Sequence, residues 1–118
     1  MAKLNKDKFT VMVENGEITP GANLKNMDLT ELNLRSAFLV GANLQGVSFS
    51  GSNLACANLE KANLAGANLS NCDLSYANFK NANLENADLS NCKLEYTDFR
   101  NANINGAIFE NSNGQKLV

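Results

Sequence analysis

Histidine is absent from this 118-residue sequence, and so are a CxxC pair and a glycine-rich phosphate-binding loop. Histidine is the commonest general acid–base group and metal ligand in proteins, and glycine-rich loops bind nucleotide phosphates. The ionisable residues form no isolated cluster that interrupts the rest of the pattern. We therefore predict a protein that is not an enzyme, with no catalytic residue, no metal site and no cofactor.

Strong positive charge and long hydrophobic runs are also lacking. Ten basic and twelve acidic residues give a net charge of −2, whereas nucleic-acid-binding domains are usually basic. No apolar run is long enough to span a membrane, and the N-terminus lacks the hydrophobic segment of a signal peptide. The three cysteines follow no disulfide-framework spacing and predict free thiols. These features predict a cytoplasmic protein that binds neither a membrane nor, directly, nucleic acid.

A five-residue period occupies the chain from Ala22 to Asn111. It consists of eighteen consecutive units, and the central residue of each unit, called i below, has a large apolar side chain. A period of five fits neither an α-helix nor a long strand, but it fits a short extended segment followed by a turn. The central residues are Leu24, Leu29, Leu34, Leu39, Leu44, Phe49, Leu54, Leu59, Leu64, Leu69, Leu74, Phe79, Leu84, Leu89, Leu94, Phe99, Ile104 and Phe109.

The positions around the central residue predict where the chain turns. Position i−2 holds alanine in eleven units, and position i−1 holds asparagine or aspartate in fourteen. In an extended segment i−2 and i point to the same side, so we expect both to face inward. Position i+2 holds glycine or asparagine in twelve units, and both residues tolerate left-handed backbone angles. We therefore predict a turn at i+2 in every unit.

A second period, of twenty residues, predicts how the units stack. Ten of twenty positions are identical between Ser70–Leu89 and Ser90–Phe109, which indicates four units per coil. Residues twenty apart then form columns along the molecule, and neighbouring coils pair as parallel strands about 4.8 Å apart. The crossover rule favours a right-handed coil. The predicted fold is all-β: a right-handed quadrilateral parallel β-helix of about four and a half coils.

Units such as Ala62–Gly66 (Ala-Asn-Leu-Ala-Gly) and Ala87–Asn91 (Ala-Asp-Leu-Ser-Asn) resemble those of the pentapeptide-repeat proteins. The resemblance covers about three quarters of the chain. It implies the same right-handed quadrilateral β-helix and a non-enzymatic role in protein binding or structure. The family is abundant in cyanobacteria and other bacteria, and its best-understood members are DNA mimics that bind DNA gyrase.

The residues outside the period form the two ends of the molecule. Residues 1–21 are predicted to be an N-terminal cap with a short helix from near Asn5 to Asn15–Gly16, because a solenoid needs its apolar end covered. A partner-binding helix is the alternative. Residues 22–111 are predicted to form the β-helix and residues 112–118 a C-terminal tail. The apolar residues that fall roughly on one face of the predicted helix are Leu4, Phe9, Met12 and Val13.

The candidate protein contacts are Phe38, Val40, Tyr76, Tyr96 and Ile108. Phe38 and Val40 lie at outward positions in a charge-free stretch, and the alternative is that they extend the cap above Ile18 and Pro20. Tyr76 and Tyr96 share a column, and tyrosine is enriched at interfaces. The alternative for the tyrosines is a favourable cross-strand pair with no binding role. Ile108 stands at position i−1, where fourteen units place asparagine or aspartate.

These observations predict a scaffold or regulatory protein-binding module whose protein partner is unknown. The alternative is a DNA-mimic modulator of DNA gyrase or topoisomerase, which needs carboxylates repeated along one face. The repeat holds nine acidic and six basic residues, and no outward column has more than two carboxylates. We expect a monomer or a weak end-to-end homodimer, because the last coil at Ile108 is covered either by Leu117 and Val118 or by a second copy.

Overall fold

The computed structural model describes residues 4–114. Within them one helix, α1, spans Lys6–Glu14. Its N-cap is Asn5, whose side-chain oxygen accepts the backbone N–H of Lys8 at 2.9 Å. It ends at Asn15, whose N–H donates to the carbonyl of Val11 at 3.0 Å. No helix in this part of the chain is long and apolar enough to cross a membrane.

From Asn23 to Asn113 the chain is wound into coils that pair in parallel. Every β-bridge joins residues twenty apart, as in Asn23 to Asn43 and Asn43 to Asn63, so one coil takes four five-residue units. Each bridge is isolated, with one bridging residue per unit at position i−1. The predicted parallel strands are therefore reduced to single bridges, because the chain turns again within five residues.

A turn closes each unit at the predicted place. In units such as those of Leu34 and Leu59, the N–H of residue i+3 donates to the carbonyl of residue i at 3.0 Å. Position i+2 has a positive φ in all eighteen units, in thirteen non-glycine residues and five glycines. The same geometry begins one unit earlier than predicted, where Ala22 N–H donates to Thr19 and Gly21 has a φ of 76°.

The asparagines and aspartates at position i−1 stabilise these turns. In all fourteen such units the side-chain oxygen accepts the backbone N–H of residue i+1, at 2.9 to 3.3 Å. Asparagine and aspartate favour such local side-chain-to-backbone bonds in turns. The units that lack this bond have another residue at i−1, namely Phe38, Ser48, Lys93 and Ile108.

The core runs along the axis of the coils. All central residues from Leu24 to Leu94 are buried, and most of the i−2 residues beside them are buried too. Phe9 of α1 belongs to the same cluster and is fully buried. Met27 and Leu32 are partly buried and pack against this cluster. In the last coil Ile104, although central, is 48% exposed, because no further coil lies over it among residues 4–114.

Polar side chains inside the coils bond to the backbone of the neighbouring coil. The Ser52 hydroxyl accepts the N–H of Leu32 at 2.9 Å and donates to the carbonyl of Leu29 at 2.7 Å, so it bridges the two ends of that turn. The Thr97 hydroxyl donates to the carbonyl of Leu74 at 2.7 Å. These bonds satisfy polar groups that would otherwise be costly to bury.

Cys72 and Cys92 are buried free thiols in the same column as Ser52. Cys72 donates to the carbonyl of Phe49 at 3.0 Å and Cys92 to that of Leu69 at 2.9 Å. Burial raises the pKa of Cys72 to about 12 and that of Cys92 to about 11. Because the folded-state pKa values exceed the ordinary value of 9.0, these thiols favour the folded state fully below pH 9 and progressively less as the pH rises above it.

Native alkylation should therefore distinguish the three cysteines. With iodoacetamide at pH 8 we expect rapid modification of the partly exposed Cys56 alone, because the thiolate is the reactive form and the other two thiols are buried and protonated. Peptide mass spectrometry measures this, and a urea-unfolded sample, in which all three should react, is the control. Rapid alkylation of Cys72 or Cys92 in the folded protein, or a disulfide between them, would contradict the assignment.

Candidate functional site

Tyr76 and Tyr96 stack on one corner of the coil. They belong to a column at position i+2, where Ser36 and Cys56 precede them in the two coils nearer the N-terminus. The ring centroids lie 5.0 Å apart and the ring planes differ by 13°. Tyr76 is 60% exposed and Tyr96 44%. The structure therefore brings the two predicted tyrosines together as one exposed aromatic pair.

Phe38 lies on the same edge of the molecule. It follows Ser36 of the tyrosine column by two residues, bridges to Asn58 in the next coil and is 45% exposed. Beside it is a groove against α1 that Val13, Glu14 and Arg35 also line. We call Phe38, Tyr76 and Tyr96 the aromatic edge.

The other two predicted contacts, Val40 and Ile108, do not belong to the aromatic edge. The Val40 side chain is partly buried, and its carbonyl accepts the N–H of Gly21 at 2.9 Å. Ile18, expected beneath Phe38 at an outward position, is instead buried in the core. Ile108 is 45% exposed in the column that begins at Asp28, two corners away from the tyrosines. The five predicted contacts therefore do not form one surface.

End-to-end association through Ile108 stays a prediction. Leu117 and Val118, which were expected to cover the last coil, lie outside the described residues.

The tyrosines occupy positions that are unfavourable for the backbone. Tyr76 and Tyr96 have φ values of 63° and 59°, where most units place glycine or asparagine. The left-handed conformation costs other residues about 1–2 kcal/mol each. An aromatic pair contributes about 0.5–1.5 kcal/mol beyond its buried area, which does not offset two such costs. The ring–ring contact alone therefore does not explain two tyrosines on an exposed corner.

Phe38 also replaces a residue that would stabilise its own turn. It is one of the four residues at position i−1 that are neither asparagine nor aspartate, so no side-chain oxygen accepts the N–H of Val40. Its column continues with Asn58, Asn78 and Asp98, which all make that bond. All three members of the aromatic edge thus occupy positions where the repeat itself favours asparagine.

We therefore expect Phe38→Asn and Tyr76→Asn to leave the free energy of unfolding unchanged or to raise it by up to about 1 kcal/mol. The first substitution adds a turn bond, and the second relieves a left-handed tyrosine at the expense of one ring contact. Urea unfolding measures the effect. A loss of more than about 1 kcal/mol in either variant would show that the aromatic edge serves stability.

The sequence did not identify the polar groups beside the aromatic edge. The side-chain oxygens of Asn58 and Asn78 accept the N–H groups of Glu60 (3.1 Å) and Lys80 (2.9 Å), which fixes their amide orientation. Each Nδ2 group has no hydrogen-bond partner in residues 4–114 and remains available as a donor. The spacing of twenty residues was the signal that places both asparagines beside the tyrosine column.

An ion pair lies at the C-terminal end of this edge. The Arg100 guanidinium donates to the Asp98 carboxylate at 2.8 Å. Hydrogen bonds from the Arg100 side chain hold the pKa of Asp98 below its usual range. The Arg100 side chain is largely exposed, so the pair contributes little to stability. Among residues 4–114 no group of three potential metal-ligating side chains comes together.

Two family models match the sequence. The model described as "Pentapeptide repeat region" matches residues 42–117, and that described as "Pentapeptide repeats (8 copies)" matches residues 21–51. The chain belongs to the pentapeptide repeat family. This confirms the resemblance carried by units such as Ala62–Gly66. A search of curated protein sequences found no match.

Solved structures of other pentapeptide repeat proteins have the same fold. HetL, involved in heterocyst differentiation regulation in Nostoc sp. strain PCC 7120, is 30% identical with a TM-score of 0.87 over 93% of this chain. A protein from the Arabidopsis thaliana thylakoid lumen is 31% identical, with a TM-score of 0.72 over 75% of the chain. A second Nostoc PCC 7120 protein is 36% identical, with a TM-score of 0.62 over 87% of the chain.

These similarities identify the coil as the right-handed β-helix of pentapeptide repeat proteins, as predicted. The chain spans 47% of the length of HetL, 61% of that of the plant protein and 74% of that of the second Nostoc protein. Pentapeptide repeat proteins are in general structural or binding modules, so the exposed surface of the coils is where a function has to be sought.

Proposed function

We propose that this pentapeptide repeat protein is a non-enzymatic scaffold or regulatory module that acts in the cytoplasm and binds a protein partner through the aromatic edge. The observation that carries the proposal is the placement of Tyr76 and Tyr96 in left-handed positions on an exposed corner. Residues kept at a cost to local stability mark sites that serve another purpose.

The chemistry of the aromatic edge suits a protein interface. Tyrosine offers a large rigid contact area and a hydroxyl while losing little side-chain entropy, and aromatic residues are enriched among those that dominate binding energy. Phe38 extends the surface towards the groove beside α1. Aromatic rings bordered by Asn58 and Asn78 resemble the apolar centre and polar rim of an interface.

A DNA-mimic role is less well supported than the protein-binding role, because of how acidic and basic side chains are arranged in successive coils. Asp28 and Asp88 share one column, but Ser48 and Asn68 lie in the two coils between them. Along the opposite face Glu60 is followed by Lys80 and Arg100 in successive coils. Regular phosphate-like spacing of carboxylates is therefore missing from these columns, and we do not propose binding to gyrase.

We propose that α1 acts as the N-terminal cap of the coils. Phe9 is fully buried in the core cluster, where Leu4, Met12 and Val13 of the same segment also pack. The Lys6 ammonium group donates to the Thr30 hydroxyl at 3.2 Å, which attaches the start of the helix to the first coil. A repeat array needs such a covering element at its apolar end.

Affinity capture tests the binding role. The wild-type protein and the double variant Tyr76→Asn/Tyr96→Asn would each be used to capture partners from an extract of the cells that supply the gene. The matched control is Asn71→Gly/Asn91→Gly, which changes the preceding corner of the same two coils and keeps the left-handed backbone. We expect the wild type and the control to retain a common partner that the tyrosine variant loses. Equal recovery by all three proteins would refute the aromatic edge as the contact.

A further inference from the structure

The two ends of the coiled chain present different sets of backbone groups. Between neighbouring coils, the N–H of a central residue donates to the i−1 carbonyl of the next coil, as in Leu24 to Asn43 at 2.8 Å. The i−1 N–H of that next coil donates back to residue i−2, as in Asn43 to Ala22 at 2.8 Å. Each coil therefore offers positions i and i−2 towards the C-terminus and position i−1 towards the N-terminus.

At the C-terminal end, the units that span residues 97–111 leave their groups open. The N–H groups of Phe99, Ile104 and Phe109 have no hydrogen-bond partner within residues 4–114. The i−2 carbonyls of the same units accept no hydrogen bond in this part of the chain either. Ile104 is 48% exposed, and both phenylalanines are partly exposed. An open backbone edge beside apolar side chains favours the addition of another chain.

At the N-terminal end, the first coil (residues 22–41) presents the complementary groups. The N–H and carbonyl groups of Asn23, Asp28 and Asn33 make no backbone hydrogen bond with any residue from 4 to 114. α1 covers the apolar centre of this coil through the buried Phe9. No backbone hydrogen bond joins α1 to the first coil in the described part of the chain. The cap therefore buries the core without pairing the backbone edge.

The last coil of one copy would continue into the first coil of another without a change of register. Residues twenty apart form one column, so residues 103 and 108 belong to the columns that begin at 23 and 28. In such a stack Ile104 packs against Leu24 of the second copy, and Phe109 packs against its Leu29. The two copies need no rotation about the axis, so the contact is heterologous and the assembly does not close into a ring.

The asparagine column gives the stack a side-chain match as well. The Nδ2 group of Asn43 donates to the Oδ1 atom of Asn23 at 3.3 Å. The Nδ2 group of Asn103 donates to Asn83 in the same way at 3.3 Å. Within residues 4–114, Oδ1 of Asn103 accepts only the N–H of Asn105, and Nδ2 of Asn23 has no partner. In the stack, Asn23 of the second copy donates to Asn103 of the first.

We propose that the two ends are the halves of an interface between copies of this chain, and that α1 keeps this interface closed. When α1 is removed from the first coil, the last coil of another copy stacks head to tail in its place. Repetition of this contact produces rods. The interface does not include the aromatic edge, so the inference is independent of the proposed protein-binding function.

The variant Phe9→Asp in the full chain tests the inference, because a buried carboxylate separates α1 from the core. We expect a monomeric wild type and a variant whose mass in light scattering is at least about fivefold higher. Phe9→Asp/Ile104→Lys should stay monomeric, since stacking would bury an unpaired ammonium group. The matched control is Phe9→Asp/Ala65→Lys, which places the same charge on a side face and should still form rods.

Wild-type protein should shorten the rods of Phe9→Asp. Its C-terminal end is open and its N-terminal end is covered by α1, so it can join a rod at one end only. An equal concentration of wild type should reduce the mean length to about two copies. Ile104→Lys, with α1 in place, should leave the rods unchanged. This difference separates directional stacking from unspecific aggregation.

Alkylation of Cys72 and Cys92 shows whether the coils of Phe9→Asp stay folded, and Met12→Asp, at a partly buried position, replaces that variant if they do not. A monomeric variant with protected thiols would overturn the inference and leave the tail at 115–118 as the cover of the last coil. Aggregates that form despite Ile104→Lys, or that wild type does not shorten, would also overturn it. A wild-type dimer that Ile104→Lys dissociates would show a two-fold contact between C-terminal ends instead.

Discussion

Replacing Leu64 with alanine should lower the free energy of unfolding by about 2–5 kcal/mol. Leu64 is the central residue of its unit, fully buried in the column that contains Leu44 and Leu84. Truncation removes buried methyl groups and leaves a cavity that flanking coils cannot close, because hydrogen bonds such as Leu64 N–H to Asn83 at 2.7 Å fix their spacing. Urea or thermal unfolding measures the loss.

The neighbouring Ala65 provides the matched control. It lies at position i+1, is partly exposed and points away from the core. Ala65→Ser should change the free energy of unfolding by less than about 0.5 kcal/mol. Equal midpoints for the two variants would contradict the assignment of i as inward and i+1 as outward.

Replacing Phe9 with alanine should cost about 3–5 kcal/mol if α1 is the cap of the coils. The Phe9 ring is fully buried in the cluster that continues through the central residues of the coils. Its loss removes the main apolar anchor of α1. Unfolding midpoints and amide hydrogen exchange measure the effect, and exchange should rise first in α1 and the first coil.

Val11 is the control within the same helix, because its side chain is 52% exposed. Val11→Ala should be close to neutral, since alanine favours a helix more than valine does. If Phe9→Ala leaves stability unchanged while partner capture is lost, α1 is a partner-binding helix and the capping proposal is wrong.

The architecture was predictable because the same physical constraints recur in every five-residue unit. One large apolar residue every five positions defines the core, and glycine or asparagine at i+2 marks the turns. The sequence identity between residues twenty positions apart then predicts which side chains stack in columns along the molecule. The structure has all of these features, from the buried Leu24 to the bridge between Lys93 and Asn113. Family membership follows from the same units.

Other features depend on contacts that a repeat pattern does not contain. The bridging hydroxyl of Ser52 joins groups in two coils, and Ser52 in the sequence is only a substitute for alanine. The turn at Thr19 precedes the first unit with an apolar centre, so the five-residue pattern did not include it. Reduction of strands to single bridges follows from the turn geometry, which the residue types fix only in part.

The candidate site was predictable residue by residue but not as a surface. Phe38 and the tyrosines were recognisable as outward apolar residues, and the structure places them on one edge. Ile108 has the same sequence signature, yet it lies two corners away. The exposure of the Tyr76 ring and its stacking on Tyr96 are seen only in the stacked structure.

Partner protection of Cys56 tests the central claim most directly. Cys56 is partly exposed and lies beside Tyr76 at the centre of the aromatic edge. The rate of its alkylation by iodoacetamide would be measured with and without the captured partner, in native protein. The control is Cys56→Ser/Ala65→Cys, which moves the reactive thiol to another face. We predict that the partner slows alkylation of Cys56 at least about tenfold and leaves the thiol at position 65 unaffected. An unchanged rate at Cys56 with the partner bound would contradict binding through the aromatic edge.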